Sequence, residues 1–289
     1  MVHLPFLSGP DGLAMGLSAL DPAEWIEVDD RFARDLAERR RLLAECRDEV
    51  FAALPGSEAG QRETLDLLLE HLPRRFPELY EVADRRVRNR VTGEEFALDD
   101  SGMAPLELAG RLVQEDLCLM RPGAEGYVLA AACLCFPSHW RLHDKLGQPM
   151  RAIHEPVPGF AERLGGPADR FLAAIRPERP VFRLNWGVTD SPELFAPHGR
   201  ERRPGTTAAN AGARLWLRVE RQTLRRLPRS GDVLFTIRTH LTPLAEVAGV
   251  PGAAAALVGR IEAMPPEFAA YKGLLPIREA LLGYLRAAG

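Results

Sequence analysis

Residues able to bind a metal ion are concentrated between positions 133 and 160. They are histidines and cysteines that occur close together: Cys133, Cys135, His139, His143 and His154. Imidazole and thiolate groups are common protein ligands of zinc and iron. This stretch is therefore the first candidate for a functional site.

His139 and His143 are four residues apart, which on a helix places both imidazoles on one face, where they could bind a metal together. The zinc-protease signature requires Glu directly after the first histidine, and this chain has Trp140 at that position. A third ligand is not evident from the sequence. The weakness of the motif favours the alternative, which is two ordinary exposed histidines.

His154 follows Ile153 and precedes a turn that Pro156 and Pro158 make rigid. A rigid turn gives an imidazole a defined direction, as an axial ligand of iron requires. The alternative is a half-buried histidine that hydrogen-bonds to a carbonyl near the turn. Because most histidines are not ligands, composition alone favours this alternative.

Cys133 and Cys135 are two residues apart in a predicted strand and therefore share one face. A thiolate ligand at Cys135 is conceivable, although such cysteines are more often small buried hydrophobic residues. The 4 cysteines form no CxxC pair, so we expect reduced thiols in a cytoplasmic protein.

Polar and apolar residues alternate along the strands that we predict at 214–224 and 232–241. Glu220 and Gln222 share the polar face of the first strand, and the turn between the strands predicts that Glu220 lies close to opposite Arg238. This pair could bind an amine through the carboxylate or a propionate through the guanidinium. It could also be a structural salt bridge, which the residues alone favour.

Hydrophobic spacing and turn residues indicate which elements position these groups. After an extended arm over residues 1–22, with a turn at 10–12, we predict helices over 30–54, 60–72, 77–84, 105–115, 251–264 and 276–288. We predict a hairpin over 87–98 and strands over 116–119, 127–136, 180–188, 214–224 and 232–241. An antiparallel sheet with helices before and after it is an α+β fold.

Composition restricts the class of protein. With 46% hydrophobic and 27% charged residues, the chain is typical of soluble globular proteins. A net charge of -3 gives no reason to expect nucleic acid or membrane as a partner, and the arginine-rich patch at 200–203 is expected to be a solvated face. The apolar run at 127–136 is far shorter than the roughly 20 residues of a membrane-spanning helix.

Short blocks along about residues 15–239 together resemble a known family. The blocks are MGL at 15–17, QEDLC at 114–118, CFPSxW at 135–140, KxG at 145–147, IHxPVP at 153–158, RxNW at 183–186, LRVERQTLRRLP at 217–228 and FTIRT at 235–239. They resemble the haem-dependent oxidative N-demethylase-like proteins, long catalogued as a bacterial domain of unknown function. Ordered blocks over this length are far more specific than any one short motif.

This resemblance implies a PAS-like fold, in which a central antiparallel sheet with flanking helices holds haem b in a pocket against the sheet. It implies one domain over residues 1–289, with a helical N-terminal third at about 20–84, a sheet-containing core at about 86–245 and C-terminal helices at about 251–288. The implied activity is oxidative removal of a methyl group from a small amine such as dimethylamine. Dioxygen is the implied oxidant, and the resulting carbinolamine or iminium hydrolyses to release formaldehyde.

The matching blocks also contain the candidate site residues, and we assign the roles of the pocket residues from their chemistry. His154 is expected to bind the iron, because it is the histidine within a matching block. The expected cofactor-binding residues are Arg221, Gln222 and Trp186, and the expected catalytic residues are Glu220, Arg238 and Asn185. Glu220 would pair with the cationic amine or accept its proton, and Arg221 or Arg238 would hold a haem propionate.

Electrons are expected to come from a partner, since the chain has neither a Gly-rich dinucleotide fingerprint nor ferredoxin cysteine spacing. The implied partner is a flavin-containing electron-transfer subunit. The alternative function is a non-catalytic PAS-like haem or small-ligand sensor or binding protein, because PAS-like haem domains also serve as sensors. Formaldehyde release from methylamines would separate the enzyme from the sensor.

Overall fold

The computed structural model describes residues 2–7, 14–99, 102–198 and 204–289. The predicted turn at 10–12 and the arginine-rich patch at 200–203 lie outside these ranges. The described residues form the expected α+β arrangement, with a large antiparallel sheet and helices before and after it.

Strands β1 to β10 are, in chain order, Ser18–Ala19, Phe51–Ala53, Tyr80–Ala83, Arg86–Asn89, Glu95–Ala97, Asp116–Gly123, Gly126–Cys133, Val181–Thr189, Trp216–Arg226 and Val233–Pro243. Seven of them form one antiparallel sheet in the order β1-β8-β9-β10-β6-β7-β2. The other three form a small sheet in the order β3-β4-β5. The predicted strands at 116–119, 127–136, 180–188, 214–224 and 232–241 are therefore confirmed, as is the hairpin at 87–98.

Helices α1 to α12 are Phe32–Glu45, Arg47–Val50, Glu58–Arg75, Pro105–Leu112, Leu142–Lys145, Met150–Ile153, Gly166–Ala174, Ala211–Arg214, Leu244–Ala248, Ala253–Glu262, Pro266–Tyr271 and Arg278–Ala288. Short 3₁₀ turns lie at Pro5–Leu7, Pro22–Glu24 and Leu275–Ile277, and a π-helical turn at Ala161–Gly165 leads into α7. In the part of the chain that the structure describes, none of the helices is both long and apolar enough to cross a bilayer.

The N-terminal third contains strands as well as the predicted helices. The helix predicted at 30–54 ends early, because α1 and α2 are followed by β2. The prediction of a helix at 77–84 is wrong, because this segment contains β3, which pairs with β4. Asp84 and Arg85 both have positive φ, at 49° and 59°, and two such residues form a type I′ hairpin turn. This turn contains no glycine, so nothing in the sequence indicated a hairpin at this position.

The register of the β9–β10 hairpin differs by one residue from the predicted one. Glu220 pairs with Thr239, and Arg238 pairs with Arg221. Because side chains alternate along a strand, a shift of one residue sends Glu220 and Arg238 to opposite faces of the sheet. The predicted Glu220–Arg238 pair is therefore wrong. We call the face that carries Glu220 the front face and the face that carries Arg238 the back face.

Separate apolar clusters cover the two faces of the large sheet. On the back face, α1, α3 and α4 pack against β6, β7 and β10, while α9, α10 and α12 pack against β8 and β9. On the front face, α5 and α7 pack against β6, β7 and β10. The front face of β8 and β9 carries polar side chains instead, and these side chains form the candidate site.

Candidate functional site

His154 directly follows α6, and two contacts fix its ring. Its Nδ1 hydrogen-bonds to the Met150 carbonyl at 3.0 Å. The ring also stacks on Phe160, with centroids 4.4 Å apart and planes inclined by 14°. A ligand histidine usually has its second ring nitrogen bonded to a carbonyl or carboxylate in this way, which orients the ring for a metal at Nε2.

The His154 imidazole is neutral near pH 7. Burial lowers the pKa of His154 to about 4, and the positive charges of Arg183 and Lys145 add to this effect despite the bond to Met150. Only a neutral imidazole has a lone pair to offer a metal. The surroundings of His154 therefore keep it in the protonation state that a ligand needs.

Glu220 lies at the centre of a polar network on the front face. Gln222 donates from Nε2 to the Glu220 carboxylate at 3.0 Å, and Asn185 donates to it at 3.4 Å. The Gln222 amide oxygen in turn accepts a hydrogen bond from Arg183 Nε at 2.7 Å. Arg218 Nε lies 3.5 Å from the other Glu220 oxygen. The network holds a half-buried carboxylate in a fixed orientation.

The network continues into the loop after β7. Arg218 donates to the Phe136 carbonyl at 2.7 Å. The Phe136 and Cys135 amides in turn donate to the Asp116 carboxylate at 3.0 Å and 2.7 Å. Arg39 completes the arrangement with an ion pair to Asp116 at 2.7 Å, in which both side chains are fully buried. This chain of contacts joins the QEDLC and CFPSxW blocks to Glu220.

Arg183 and Gly187 indicate room for a ligand over this face. Burial lowers the pKa of Arg183, and the hydrogen bonds that the structure describes for its guanidinium go to neutral oxygens, those of Gln222 and Met15. A Cβ placed on Gly187 would meet no atom within 4 Å. A half-buried guanidinium whose described hydrogen bonds go to neutral acceptors can bind an anionic group.

Three of the predicted site residues lie on the back face. Trp186 packs edge-on against Phe6 at 5.9 Å. Arg221 donates to the Trp25 carbonyl at 3.0 Å and contacts Glu27 at 3.1 Å. Arg238 donates to Asp29 at 2.6 Å.

The predicted residues therefore form two groups. The front face brings together Asn185, Glu220 and Gln222. The charge of Arg183, which hydrogen-bonds to Gln222, contributes to the lowered pKa of His154. The thickness of the sheet separates this group from Arg221, Arg238 and Trp186.

His139 and His143 do not share a helical face. His139 precedes α5 and has a φ of 61°, so the pair is not spaced along one helix. Its Nδ1 hydrogen-bonds to the His198 carbonyl at 3.2 Å, whereas His143 bonds to the Asp48 carbonyl. These contacts agree with the favoured interpretation of two ordinary histidines and not with a metal pair on one helix.

Four residues of the network were not among the predicted site residues: Arg39, Asp116, Arg183 and Arg218. Arg218 lies two residues before Glu220 on β9, and the strand pattern places both on one face. Asp116 stands at the start of β6, and its partners in the loop after β7 are distant in sequence. Only the fold brings it to them.

A comparison with known families agrees with the resemblance seen in the sequence. Residues 16–282 match the family described as haem-dependent oxidative N-demethylase, alpha subunit-like. The match covers nearly the whole chain and includes His154, the Glu220 network and its supports. The family's description implies dependence on haem, and an alpha subunit implies a partner subunit. This chain belongs to the haem-dependent oxidative N-demethylase alpha subunit-like family.

Proposed function

We propose that this protein removes a methyl group oxidatively from a small methylated amine similar to dimethylamine, with dioxygen as the oxidant and formaldehyde as a product. We place the site on the front face of β8 and β9, in a PAS-like fold that holds haem b against the sheet. The observation that carries the proposal is the Glu220 carboxylate, held by Gln222 and Asn185 on the face that also carries Arg183.

The residues of this face fit haem. His154 would bind the haem iron, since burial lowers the pKa of its imidazole, Phe160 fixes its ring and its Nδ1 is hydrogen-bonded to a carbonyl. Arg183 would hold a propionate, since it is half-buried and its described hydrogen bonds go to neutral acceptors. Haem, when bound, supplies the redox chemistry at the N-methyl group.

The protein's own groups bind and orient the amine. The Glu220 carboxylate pairs with the ammonium form of the substrate or accepts its proton, so that a neutral amine is presented for oxidation. Gln222 and Asn185 donate to Glu220 and fix its direction, which leaves the carboxylate little freedom to turn away. Arg218 contacts Glu220 and the Phe136 carbonyl, and thereby closes this end of the site with the loop after β7.

The sheet prevents Arg221 and Arg238 from reaching a ligand on the front face. Their contacts with Glu27 and Asp29 instead hold the segment before α1 against the back of the same strands. We therefore assign neither arginine to the propionates. Electrons would come from a flavin-containing subunit, in keeping with the alpha-subunit description of the family.

The test combines spectroscopy with product detection. The purified protein reconstituted with haem should show a Soret band, and with a reductant and dioxygen it should release formaldehyde from dimethylamine. His154→Ala should abolish the native spectrum, whereas His143→Ala, a change at an exposed histidine bonded to a backbone carbonyl, should leave it unchanged.

Glu220→Gln separates haem binding from turnover. It should retain the Soret band and lower kcat/KM by about 100-fold, the usual scale for losing a positioned proton acceptor. No Soret band after haem addition would reject the haem site. A normal band without formaldehyde release from any methylamine would reject the demethylase activity.

A further inference from the structure

A second group of metal-ligating side chains lies on the back face. His3, Glu27 and His240 each offer one ligand atom, and the three atoms lie within 4.8 Å of one another. His3 belongs to the N-terminal segment, Glu27 to the loop before α1, and His240 to β10. The side chains of His3, Glu27 and His240 are 14%, 24% and 12% exposed, so an ion can reach them from solvent.

The distances agree with those around a metal ion. Glu27 Oε2 lies 3.3 Å from His3 Nε2 and 3.0 Å from His240 Nε2. Ligands that bind a tetrahedral zinc ion at about 2.0–2.1 Å stand roughly 3.3 Å from each other. Two histidines and one glutamate are also an established donor set for zinc and other divalent transition metals.

The surroundings of the three ligands resemble an outer shell. Arg221 contacts Oε1 of Glu27 at 3.1 Å, so Oε2 is the oxygen turned towards both histidines. The Glu27 amide donates to Glu115 at 3.0 Å and thereby fixes the loop that carries the carboxylate. Such contacts orient ligands and add to metal affinity.

Each ring nitrogen of His240 faces a carboxylate. Nε2 faces Glu27 at 3.0 Å, while Nδ1 faces the Asp29 carboxylate at 3.7 Å. A metal on Nε2 leaves the proton on Nδ1, where it faces Asp29 favourably.

We propose that His3, Glu27 and His240 bind a divalent first-row transition metal such as Zn²⁺, with water at the remaining position. The ion joins the N-terminal segment to the loop before α1 and to β10. That segment already packs against the sheet, since Phe6 contacts Trp186 at 5.9 Å and its carbonyl accepts from Arg260 at 3.0 Å. The site is structural and lies across the sheet from the proposed haem site.

Calorimetric titration with ZnCl₂ tests the site in the full-length protein after dialysis against a chelator. We expect binding of about one equivalent, because the three ligands form one site. His3→Ala, Glu27→Gln and His240→Ala should each weaken binding at least about tenfold, the lower end of what even outer-shell losses cause. His143→Ala and His154→Ala should bind as the wild type does, which separates this site from the haem proposal.

Thermal unfolding gives a second readout that needs no destabilising change. Added ZnCl₂ should raise the Tm of the wild type, since a ligand that binds only the folded state stabilises it. His3→Ala removes a ligand from a terminal segment and should fold normally, but its Tm should not respond to ZnCl₂. Equal zinc affinity in wild type and His3→Ala would overturn the proposal, as would the absence of stoichiometric binding to the wild type.

Discussion

The ion pair between Arg39 and Asp116 offers the sharpest test of how the candidate site is supported. Asp116→Asn keeps the shape of the side chain but removes its charge, leaving the fully buried guanidinium of Arg39 without its carboxylate. Removing one partner of a buried pair costs about 3–5 kcal/mol. The free energy of unfolding of an ordinary domain is about 5–15 kcal/mol, so the variant should still fold but with a much lower free energy of unfolding.

The assay is urea unfolding followed by far-UV circular dichroism. Arg39→Met removes the other charge, and the double variant should be more stable than the sum of the single losses predicts, because it leaves neither charge unpaired. The control is Glu70→Gln, which breaks an exposed pair with Arg74 and should cost about 0.5 kcal/mol or less.

If the free energy of unfolding of Asp116→Asn fell by less than about 1 kcal/mol, the reasoning would be refuted, because other groups would then offset the Arg39 charge.

The same variant should also disturb the candidate site. Asp116 holds the Cys135 and Phe136 amides, and the Phe136 carbonyl holds Arg218 beside Glu220. Formaldehyde release by Asp116→Asn should therefore fall at temperatures at which the variant is still folded.

Three further predictions concern stability. Gly110→Ala in α4 should destabilise the protein strongly, because the added Cβ would overlap a cysteine of β7. Gly259→Ala in α10 places its Cβ in open space and should stabilise the protein by about 0.5–1 kcal/mol. The urea midpoints of the two variants test this contrast. Burial and nearby arginines lower the pKa of His71 from 6.5 to about 4, so its contribution to stability is complete above pH 6.5 and is lost as the pH falls towards 4. Urea titrations at both ends of this window should show that His71→Gln loses less stability than the wild type, and an equal loss would contradict the assignment. Tyr80→Phe removes a buried hydrogen bond to the Leu112 carbonyl and should cost about 1 kcal/mol, detectable as a lowered Tm.

Local patterns in the sequence predicted the strands and helices better than they predicted how the strands pair. Alternation along β9 placed Glu220 and Gln222 on one face, which the structure bears out. It could not fix how β9 pairs with β10, because the turn geometry decides the register. The six residues at 227–232 close through bonds from Gly231 N to Leu227 O and from Leu227 N to Asp232 O, and this closure pairs Glu220 with Thr239.

The candidate sites differ in how far the sequence could indicate them. His154 and Glu220 fall in blocks that resemble a known family, so the resemblance singled them out without any knowledge of geometry. His3, Glu27 and His240 come from distant parts of the chain, and no spacing rule connects them. A site assembled from three separate elements becomes visible only when the topology has brought those elements together.

The placement of both networks on one strand has a consequence for exchange with solvent. Neighbouring residues of β9, Glu220 and Arg221, serve opposite faces, and the strand lies between β8 and β10 in the sheet interior. A shift of β9 by one residue would move every one of its side chains to the other face of the sheet. We therefore expect a ligand to reach the front face through movement of the covering segment 137–160, which contains α5 and α6, while β9 stays in place. We therefore expect the amides of β9 to be among the last to exchange hydrogen for deuterium, well after those of the 137–160 segment. Bound ligand should then slow exchange in that covering segment and leave β9 unchanged.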